Sequence, residues 1–476
     1  MNKKILLIHS HSKEELKNIW CMPLGIHQLG ACLKQTGYQC DMFDGYRNKW
    51  YINKIISYAS QYDLIGIGSN MDGFDNATNI ANGIKQIKNI PIILGGYHGI
   101  FNYEDILNNH SCFDCIVRGE GEEVIIKLVE DYFTNGKFTI PLPGVSYLNL
   151  NGKKIISHEM CHVKDLDSLP FPIRENLIDY RHIDTKYTRN GWLVIIIESG
   201  RGCQFNCIYC AVPKSRKKCI IKSVDRIIEE VLDIDKNYDM MNHHKKDLIY
   251  FTDNSLFLSD IDRVKELVVK LRKVTSMNFG FNARVDQIIK AGSDFIKYLA
   301  DEGCSFVEIG IESGSQSQLD RYKKGTTVEQ NLEAIKIMTN VSDKITTVMD
   351  FLLFDPYTTI DELKENVEFF KKSGLSKSKH CRLRREFVSD YRLGPIMERV
   401  STSIYNKPLQ EYFIYPEIYK IYQCCIRFKE DHLINLLKIN YNFIDLKYNL
   451  LEYLVNNHTQ DIYELYEIFL RENSLE

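Results

Sequence analysis

Three cysteines stand close together in the stretch ESGRGCQFNCIYCAVPKSRKK, at Cys203, Cys207 and Cys210. They follow the apolar run WLVIIIE, which predicts a strand, so the thiols are expected on the loop after that strand. The spacing C-x3-C-x2-C allows such a loop to curl until three thiolates face one point. Three thiolates leave one iron of a four-iron cluster open, and an open position distinguishes catalytic from structural metal sites.

The alternatives for this triplet are a structural zinc site and unpaired thiols. Zinc needs a fourth cysteine or histidine, and the nearest, Cys219, lies nine residues beyond the triplet. Two other close pairs, Cys112/Cys115 and Cys424/Cys425, are not favoured as ligands, and the first leads into a buried-looking strand. With 14 cysteines and no export signal, the chain is expected in a reducing cytoplasm.

Composition sets the broad class of the protein. The 476 residues are 44% apolar and 26% charged, which is typical of a soluble globular chain with two or three domains. A net charge of −3 gives no sign of nucleic-acid binding, and the basic stretch PKSRKK is interpreted as solvated. The initial apolar run is too short for a signal peptide, and no segment reaches membrane-spanning length without charges.

Residues 1–150 alternate strand-like and helix-like stretches, which predicts βαβ units around a parallel, Rossmann-like sheet. Such a sheet binds ligands beyond the carboxyl ends of its strands. The candidate residues at these ends are Gly68, Ser69, Gly95, Gly96, His98, Gly119 and Gly121. No GxGxxG sequence follows the first strand, so a plain dinucleotide site is not supported. The stretch YLNLNGKKIIS predicts a β-hairpin.

The rest of the chain divides into three predicted parts. Residues 151–190, with DLDSLPFPIRENL, are expected to form a linker that lies across a surface. Residues 191–400 alternate again and predict several consecutive βα units, enough for a barrel or partial barrel, whose active site would lie at the carboxyl ends of its strands. Residues 401–476 are predicted to be a small helical region. The predicted fold class is therefore α/β throughout, apart from this last part.

The cysteine stretch resembles the CxxxCxxC signature of the radical S-adenosylmethionine (SAM) family, including the aromatic Tyr209 before the last cysteine. Supporting segments follow in order, each after a predicted strand. IYFTDNSLF looks like the segment whose acidic residue, Asp253, contacts the SAM amino group. FNARVD looks like the segment that places Arg284 near the SAM carboxylate. VEIGIESGSQSQLDRYKKGTT is similar to the segment that brings Glu312 and Ser313 near the SAM ribose.

This resemblance implies that residues 191–400 form a partial (β/α)6 barrel. It also implies that the cysteine triplet holds a 4Fe-4S cluster, whose open iron binds SAM and whose electron cleaves it to a 5′-deoxyadenosyl radical. The radical takes a hydrogen atom from the substrate, and a low-potential donor such as flavodoxin or ferredoxin supplies the electron. Taken singly, Asp253 could cap a helix and Arg284 could form a surface ion pair. The sequence departs from the family at Phe354-Asp355-Pro356, which replaces a glycine- and glutamate-containing segment.

Residues 1–150 resemble the cobalamin-binding domain that precedes the radical SAM domain in one large branch. The stretches PLGIHQLGACLKQTGYQCDMFDG, DLIGIGSN, IPIILGGYH and IVRGEGEEVIIKLVE match its running pattern. The resemblance implies that a corrin lies on the carboxyl edge of the sheet, where Gly95 and Gly96 allow close backbone approach. The D-x-H-x-x-G motif, which supplies a histidine to cobalt in many cobalamin proteins, is missing from this domain. His27 is interpreted as a packed or surface residue, and His98 as a residue that could touch the corrin or its tail.

Together these resemblances imply a class B-like radical SAM methyltransferase that uses cobalamin and acts on an unactivated carbon of a peptide or small metabolite. A second hypothesis uses the same cofactors for cyclisation or rearrangement, without forming S-adenosylhomocysteine. A methylthiotransferase would carry three further cysteines in a set arrangement and a terminal β-barrel, neither of which the sequence indicates. A fourth hypothesis is a cluster that only senses redox state.

The substrate is expected to contact the barrel mouth, the helical tail and the segment CRLRREFVSDYRLGPIMERV. Its candidate residues are Arg382, Arg384, Arg385, Tyr391 and Arg392. Arg382, Arg384 and Arg385 suit a carboxylate or phosphate, because guanidinium groups bind both through two parallel hydrogen bonds. A solvated basic turn is the simpler interpretation of the same residues.

Overall fold

A computed structural model describes residues 3–11, 21–44, 52–70, 73–149, 153–175, 177, 193–236, 238, 247–258, 260–374, 381–382, 413–438 and 443–473. The chain divides into two compact units. Unit 1 comprises Met1–Cys203, Ser215–Thr252 and Lys265–Asn278. Unit 2 comprises Gln204–Lys214, Asp253–Val264 and Phe279–Glu476.

The first sheet of unit 1 has the strand order β2-β1-β3-β4-β5-β6-β7. Its strands are β1 (Lys4–Ser10), β2 (Gln39–Asp44), β3 (Leu64–Ser69), β4 (Ile92–Gly95), β5 (Cys115–Val117), β6 (Val145–Leu148) and β7 (Lys154–Ile155). Strands β1 to β5 pair in parallel. Strands β6 and β7 are antiparallel additions and form the predicted hairpin. The parallel sheet predicted for this part of the chain is confirmed.

Helices connect the first six strands of this sheet. They are α1 (Leu24–Gln35), α2 (Ile52–Ala59), α3 (Phe74–Ile87), α4 (Tyr97–Asn109) and α5 (Glu122–Asn135). Apolar side chains are buried in two clusters: on β1, Leu6 and Ile8 belong to one, and Ile5 and Leu7 to the other. Successive residues of a strand point to opposite faces. Both faces of the sheet are therefore covered, which is typical of parallel sheets and explains the nearly continuous apolar runs.

The second alternating region also contains parallel strands. All the described strands of this region are β8 (Val194–Ile197), β9 (Gly200–Arg201), β10 (Ile220–Ile221), β11 (Leu248–Phe251), β12 (Asn278–Arg284), β13 (Cys304–Glu312), β14 (Thr346–Phe351) and β15 (Cys381–Arg382). In unit 1, β8 pairs in parallel with β11, and β9 pairs with β10 in antiparallel fashion. In unit 2, β12 to β15 pair successively, all in parallel. Parallel strands joined by helices are the predicted βα units.

Local signals set the ends of several helices in this region. The helices are α6 (Val212–Ser215), α7 (Val224–Asp235), α8 (Ile261–Val274), α9 (Val285–Asp301), α10 (Gln316–Arg321), α11 (Val328–Thr339) and α12 (Ile360–Ser373). Thr327 with Gln330 starts α11, and Thr359 with Glu362 starts α12, each through a reciprocal capping box. Gly374, at φ 67°, ends α12 in the left-handed conformation that glycine tolerates.

The predicted helical tail is confirmed by α13 (Pro416–Lys438), α14 (Phe443–Asn456) and α15 (Ile462–Glu472), which pack on one another, and α14 also packs on α12. The candidate residues Arg384, Arg385, Tyr391 and Arg392 lie outside the described residues, as does the side chain of Arg382. Within the described part of the chain, none of the helices has both the length and the apolar character needed to cross a bilayer.

Two stretches predicted to lie at the surface carry buried arginines. Arg216 of PKSRKK is 8% exposed, because its guanidinium group binds Glu120. Arg174, in the predicted linker, is 4% exposed and pairs with Glu230 at 2.6 Å. The solvated interpretation of PKSRKK is therefore wrong at Arg216. Each arginine has a partner far away in the sequence, which a local charge pattern does not reveal.

Candidate active site

The base of the cysteine loop belongs to unit 1. Strands β9 and β10 bring the two ends of the loop together, and the backbone N–H of Cys203 donates to the carbonyl oxygen of Arg216 at 3.1 Å. Gly202, at φ 93°, passes so close to the other end that a Cβ atom would lie 2.6 Å from the carbonyl oxygen of Lys218. Only glycine fits this crossing, because both its conformation and the contact exclude a side chain.

An ionic cluster fixes this base to the loop that follows β5. The two guanidinium contacts of Arg216 with Glu120 measure 2.7 and 2.8 Å. Arg201 binds Glu122 at 2.6 Å and Glu198 at 2.8 Å. Burial raises the pKa of the Glu198 carboxyl, although Arg201 opposes the rise. The two glycines of the stretch RGEGEE were singled out in the sequence, but the charged residues Glu120 and Glu122 beside them were not.

In unit 2, Cys207 lies against the guanidinium group of Arg284. The Nη1 atom of Arg284 lies 3.6 Å from Cys207 Sγ, and both residues are buried. The guanidinium carbon lies 3.5 Å from the ring centre of Phe205, while Nη2 donates to the carbonyl oxygen of Lys324 at 2.7 Å. Arg284 ends strand β12, as predicted. It is buried and contacts the cysteine loop, so the surface ion-pair interpretation is wrong.

Tyr209, between the second and third cysteines, joins a buried ion pair. Its hydroxyl donates to Glu312 Oε1 at 2.9 Å, and Lys324 Nζ donates to the same oxygen at 2.8 Å. Burial, followed by the charge of Glu312, raises the pKa of Tyr209 well above its ordinary value, so the hydroxyl stays protonated. A Cβ atom on Gly310 would lie 2.2 Å from Glu312 Oε1, so a side chain there would displace the carboxylate from this position. Lys324 was not singled out in the sequence.

Two other predicted SAM residues are buried near their strand ends. Asp253 follows β11 and is 2% exposed, and its carbonyl oxygen accepts from Asn282 Nδ2 at 3.0 Å. Ser313 follows β13, where its hydroxyl oxygen lies 2.6 Å from Gln318 Oε1 and 3.0 Å from Asn366 Oδ1. The Ser313 hydroxyl is thus already part of a buried amide network. Its contact with a ribose stays a prediction.

The segment that departs from the family pattern is held by an arginine of α10. Asp355 is fully buried, and its Oδ2 lies 2.7 Å from Arg321 Nη2. Arg321 also binds Glu362 at 2.7 Å. Burial acts to raise the pKa of Glu362, but hydrogen bonds from Arg321 and Ser317 outweigh it and lower that pKa. These contacts give Asp355 a role in holding the loop after β14.

The glycines at the carboxyl edge of the first sheet fall into two groups. Gly96, at φ 92°, and Gly119, at φ 105°, pack against the chain itself, because their Cβ atoms would lie 2.4 Å from Ser69 O and 2.3 Å from Cys161 O. Gly95, by contrast, has nothing within 4 Å of an added Cβ, and Gly68 has nothing nearer than 3.9 Å. The second group leaves space above the sheet edge. Contacts of these residues and of Ser69 and Gly121 with cobalamin stay predictions.

Three histidines of the first domain, His11, His27 and His98, are buried. His98 stacks on Phe74 with ring centres 3.8 Å apart, and burial lowers its pKa to about 4. His27 is also buried, which fits its interpretation as a packed residue. A histidine overlooked in the sequence, His11, follows β1 and its Nε2 lies 3.0 Å from Asp44 Oδ1, at the end of β2. Paired polar residues directly after neighbouring parallel strands were the signal that could have revealed it.

The cysteine loop suits an iron–sulfur cluster by its donor chemistry. It offers three thiols on one short loop, and a fixed cation lies beside the second of them. Among the described residues, however, no three His, Cys, Asp or Glu side chains are already arranged as metal ligands. The pairs Cys112/Cys115 and Cys424/Cys425 are buried, which agrees with the low expectation for them as ligands.

Comparisons with known protein families agree with this organisation. The Radical SAM superfamily matches residues 197–370, and the B12 binding domain matches residues 20–129. The protein is therefore a radical SAM enzyme. More specifically, it is a radical SAM enzyme with an N-terminal B12-binding domain, of the group that contains methyltransferases and cyclases. The first domain implies cobalamin, and the second implies SAM and a 4Fe-4S cluster.

Several curated relatives carry the names of enzymes. A protein of Pyrococcus horikoshii described as an uncharacterized methyltransferase is 27% identical over 78% of this chain and 78% of its own length. The bacteriochlorophyllide d C-8(2)-methyltransferase of Chlorobaculum tepidum is 27% identical over 67% of this chain and 65% of its own. The anaerobic magnesium-protoporphyrin IX monomethyl ester cyclase of Rubrivivax gelatinosus is 25% identical over 76% and 64%.

Two solved structures share the fold. The cobalamin-dependent SAM radical enzyme OxsB, with aqua-cobalamin and SAM bound, has a TM-score of 0.72 at 20% identity, covering 99% of this chain and 75% of its own. The radical SAM methyltransferase TsrM of Kitasatospora setae, with cobalamin and a [4Fe-4S] cluster bound, has a TM-score of 0.61 at 15% identity, covering 79% and 74%. At these identities the likeness shows the predicted α/β fold and no more.

Proposed function

We propose that the protein is a cobalamin-dependent radical SAM methyltransferase that acts on an unactivated carbon of a peptide or small metabolite. The observation that carries the proposal is the anchoring of the cysteine loop: Arg284 lies against Cys207, and Tyr209 lies in the Glu312–Lys324 pair. The methyltransferase names of several relatives support the reaction type. When bound, the cluster would supply reductive cleavage of SAM, and cobalamin would carry the methyl group.

The chain's own part in the second domain would be to hold SAM beside the three cysteines. Both described contacts of the Glu312 carboxylate go to Oε1, so within the described residues Oε2 is left to accept a ribose hydroxyl. Asp253 is the acid proposed for the SAM ammonium group, for which a buried carboxylate is a strong partner. The contact of Arg284 with the SAM carboxylate stays a prediction. Each of its three guanidinium nitrogens already contacts another residue of the chain.

In the first domain, we propose that cobalamin lies on the carboxyl edge of the sheet over Gly95 and Gly68. These are the edge glycines where an added Cβ meets open space or only distant atoms. Ligands of open parallel sheets bind at this edge. A Gly95→Val variant should therefore bind hydroxocobalamin more weakly than the wild type by about tenfold or more, with the same thermal stability, which equilibrium dialysis and a melting curve would measure.

The reaction type is tested by the products formed from SAM. Protein reconstituted anaerobically with iron, sulfide and cobalamin is incubated with SAM and reduced flavodoxin, and both nucleoside products are quantified. The proposal predicts 5′-deoxyadenosine together with S-adenosylhomocysteine, and neither product from Cys207→Ala. Production of 5′-deoxyadenosine alone would contradict methyl transfer and favour the cyclisation or rearrangement reactions for which other relatives are named.

A further inference from the structure

The guanidinium group of Arg284 is held rigidly beside one cysteine of the loop. Three separate contacts fix it: Nη1 to Cys207 Sγ at 3.6 Å, stacking on Phe205 at 3.5 Å, and Nη2 to the carbonyl oxygen of Lys324 at 2.7 Å. Its side chain is 9% exposed, so solvent screens the charge weakly. The fourth partner, Asp286, binds Nε at 2.9 Å and is itself 32% exposed. Asp286 therefore offsets part of the charge, and the remainder is delocalised over a guanidinium plane whose Nη1 atom contacts the sulfur.

A fixed cation at this position favours negative charge on the sulfur. Hydrogen bonds to the ligand sulfurs and the net charge nearby are among the factors that set the reduction potential of an iron–sulfur cluster. One-electron reduction adds a negative charge to the cluster, so a neighbouring guanidinium stabilises the reduced state more than the oxidised state.

We propose that Arg284 is a positioning residue that raises the reduction potential of the cluster by holding its guanidinium group against Cys207. This inference rests on the proposed function, because it requires the three cysteines to bind a cluster. It differs from the role implied by the family resemblance, in which Arg284 contacts the SAM carboxylate. A role in binding SAM would act only when SAM is present, whereas an effect on the potential exists without it.

The test compares reduction potentials of reconstituted clusters in the absence of SAM. Wild type, Arg284→Gln, Arg284→Lys and Arg427→Gln are loaded anaerobically, iron per chain is measured, and the midpoint is followed by electron paramagnetic resonance. We expect a more negative midpoint for Arg284→Gln and a smaller shift in the same direction for Arg284→Lys. Arg427→Gln removes the same charge from an exposed pair with Glu467 and is expected to leave the midpoint unchanged.

The outcomes distinguish a failure of the role inferred for Arg284 from a failure of the proposed function. If the wild type takes up no cluster, the proposed function is contradicted. If the wild type and Arg284→Gln hold equal iron and have the same midpoint, the inference is overturned while the proposed function stands. If Arg284→Gln takes up no iron, Arg284→Lys provides the test. Its ammonium keeps the charge but lacks the fork that reaches both Cys207 and Lys324, so the charge is no longer held against the sulfur and the midpoint should fall. An unchanged midpoint would overturn the inference that the held position of the guanidinium raises the potential.

Discussion

At the scale of single residues, the site depends on charges that are buried together. Glu312 ends strand β13 at φ 66°, an uncommon conformation for a residue other than glycine. Its carboxylate is kept in place by Lys324 and by the Tyr209 hydroxyl. Backbone strain of this kind persists only where surrounding contacts determine it, and it is common at functional sites. Here the contacts link the residue proposed for the ribose to the loop that carries the cysteines.

Replacing Lys324 with methionine should leave the Glu312 carboxylate buried without its cation. Removing one partner of a buried pair typically costs about 3–5 kcal/mol of unfolding free energy, which urea denaturation would measure. Lys344→Met breaks an exposed pair with Asp301 and serves as the matched control, with little change expected. Adding Glu312→Gln to Lys324→Met should restore part of the loss. Equal stability of the two single variants would contradict this account.

Neighbouring glycines after β4 should respond differently to alanine. Gly96 has φ 92° and no room for a Cβ atom, so Gly96→Ala should lower the free energy of unfolding by about 3 kcal/mol. Gly95→Ala is the matched control, because its Cβ would enter open space. Denaturation curves of the two variants measure the difference. A stable Gly96→Ala variant would show that the close approach to Ser69 is not maintained in solution.

At the scale of elements, the cysteine loop is held at its base by the β9–β10 pair and by Arg216. Arg216 binds Glu120, donates to the carbonyl oxygen of Val163 at 3.0 Å, and accepts at its own carbonyl from Cys203. One arginine thus joins three segments of unit 1. The base of the loop is therefore fixed by side chains as well as by backbone pairing.

Arg216→Met should loosen this base and reduce iron uptake. The Glu120 carboxylate, whose side chain is 15% exposed, would lose both contacts with Arg216 Nη1 and keep the more distant Arg201 at 3.4 Å, at a cost of about 1–3 kcal/mol. Iron per chain after anaerobic reconstitution and the melting temperature are the measurements. We expect about half the wild-type iron or less, and Arg427→Met, which breaks an exposed pair, should retain wild-type iron. Full iron uptake by Arg216→Met would contradict the anchoring role.

The elements themselves were largely predictable, and their long-range contacts were not. Alternating apolar runs and capping signals such as Thr359 and Glu362 act within a few residues, so the sequence reveals them. The Arg216–Glu120 pair joins residues 96 positions apart, and the charge pattern near PKSRKK gives no indication of it. Lys324 was missed for a related reason: its partner Glu312 is near in sequence, but the pairing depends on how the chain returns after β13.

At the scale of the whole molecule, buried histidines make stability depend on pH. Burial lowers the pKa of His98 from an ordinary 6.5 to about 4, with nearby His110 acting in the same direction and Asp105 and Asp75 opposing it. Burial lowers the pKa of His9 to about 3. Between these values and 6.5 the unfolded chain binds protons that the folded chain does not. The folded state therefore loses stability as the pH falls through this window.

For His98 alone, the loss between pH 6.5 and pH 4 should reach up to about 3 kcal/mol. The measurement is the urea midpoint as a function of pH. His98→Phe keeps an aromatic ring against Phe74 and removes the titration, so its pH dependence should be weaker than that of the wild type over this range. Identical pH profiles for the two proteins would mean that His98 is not a neutral buried residue in solution.

The central claim is that one chain holds both an iron–sulfur cluster and cobalamin, and metal content tests it most directly. The protein is purified anaerobically from cells supplied with cobalamin. The iron and cobalt content per chain is then measured by inductively coupled plasma mass spectrometry. The account predicts about four irons and about one cobalt in the wild type, with iron lost and cobalt kept in Cys207→Ala. Four irons without cobalt would contradict the methyltransferase proposal, and cobalt without iron would contradict the proposed radical chemistry.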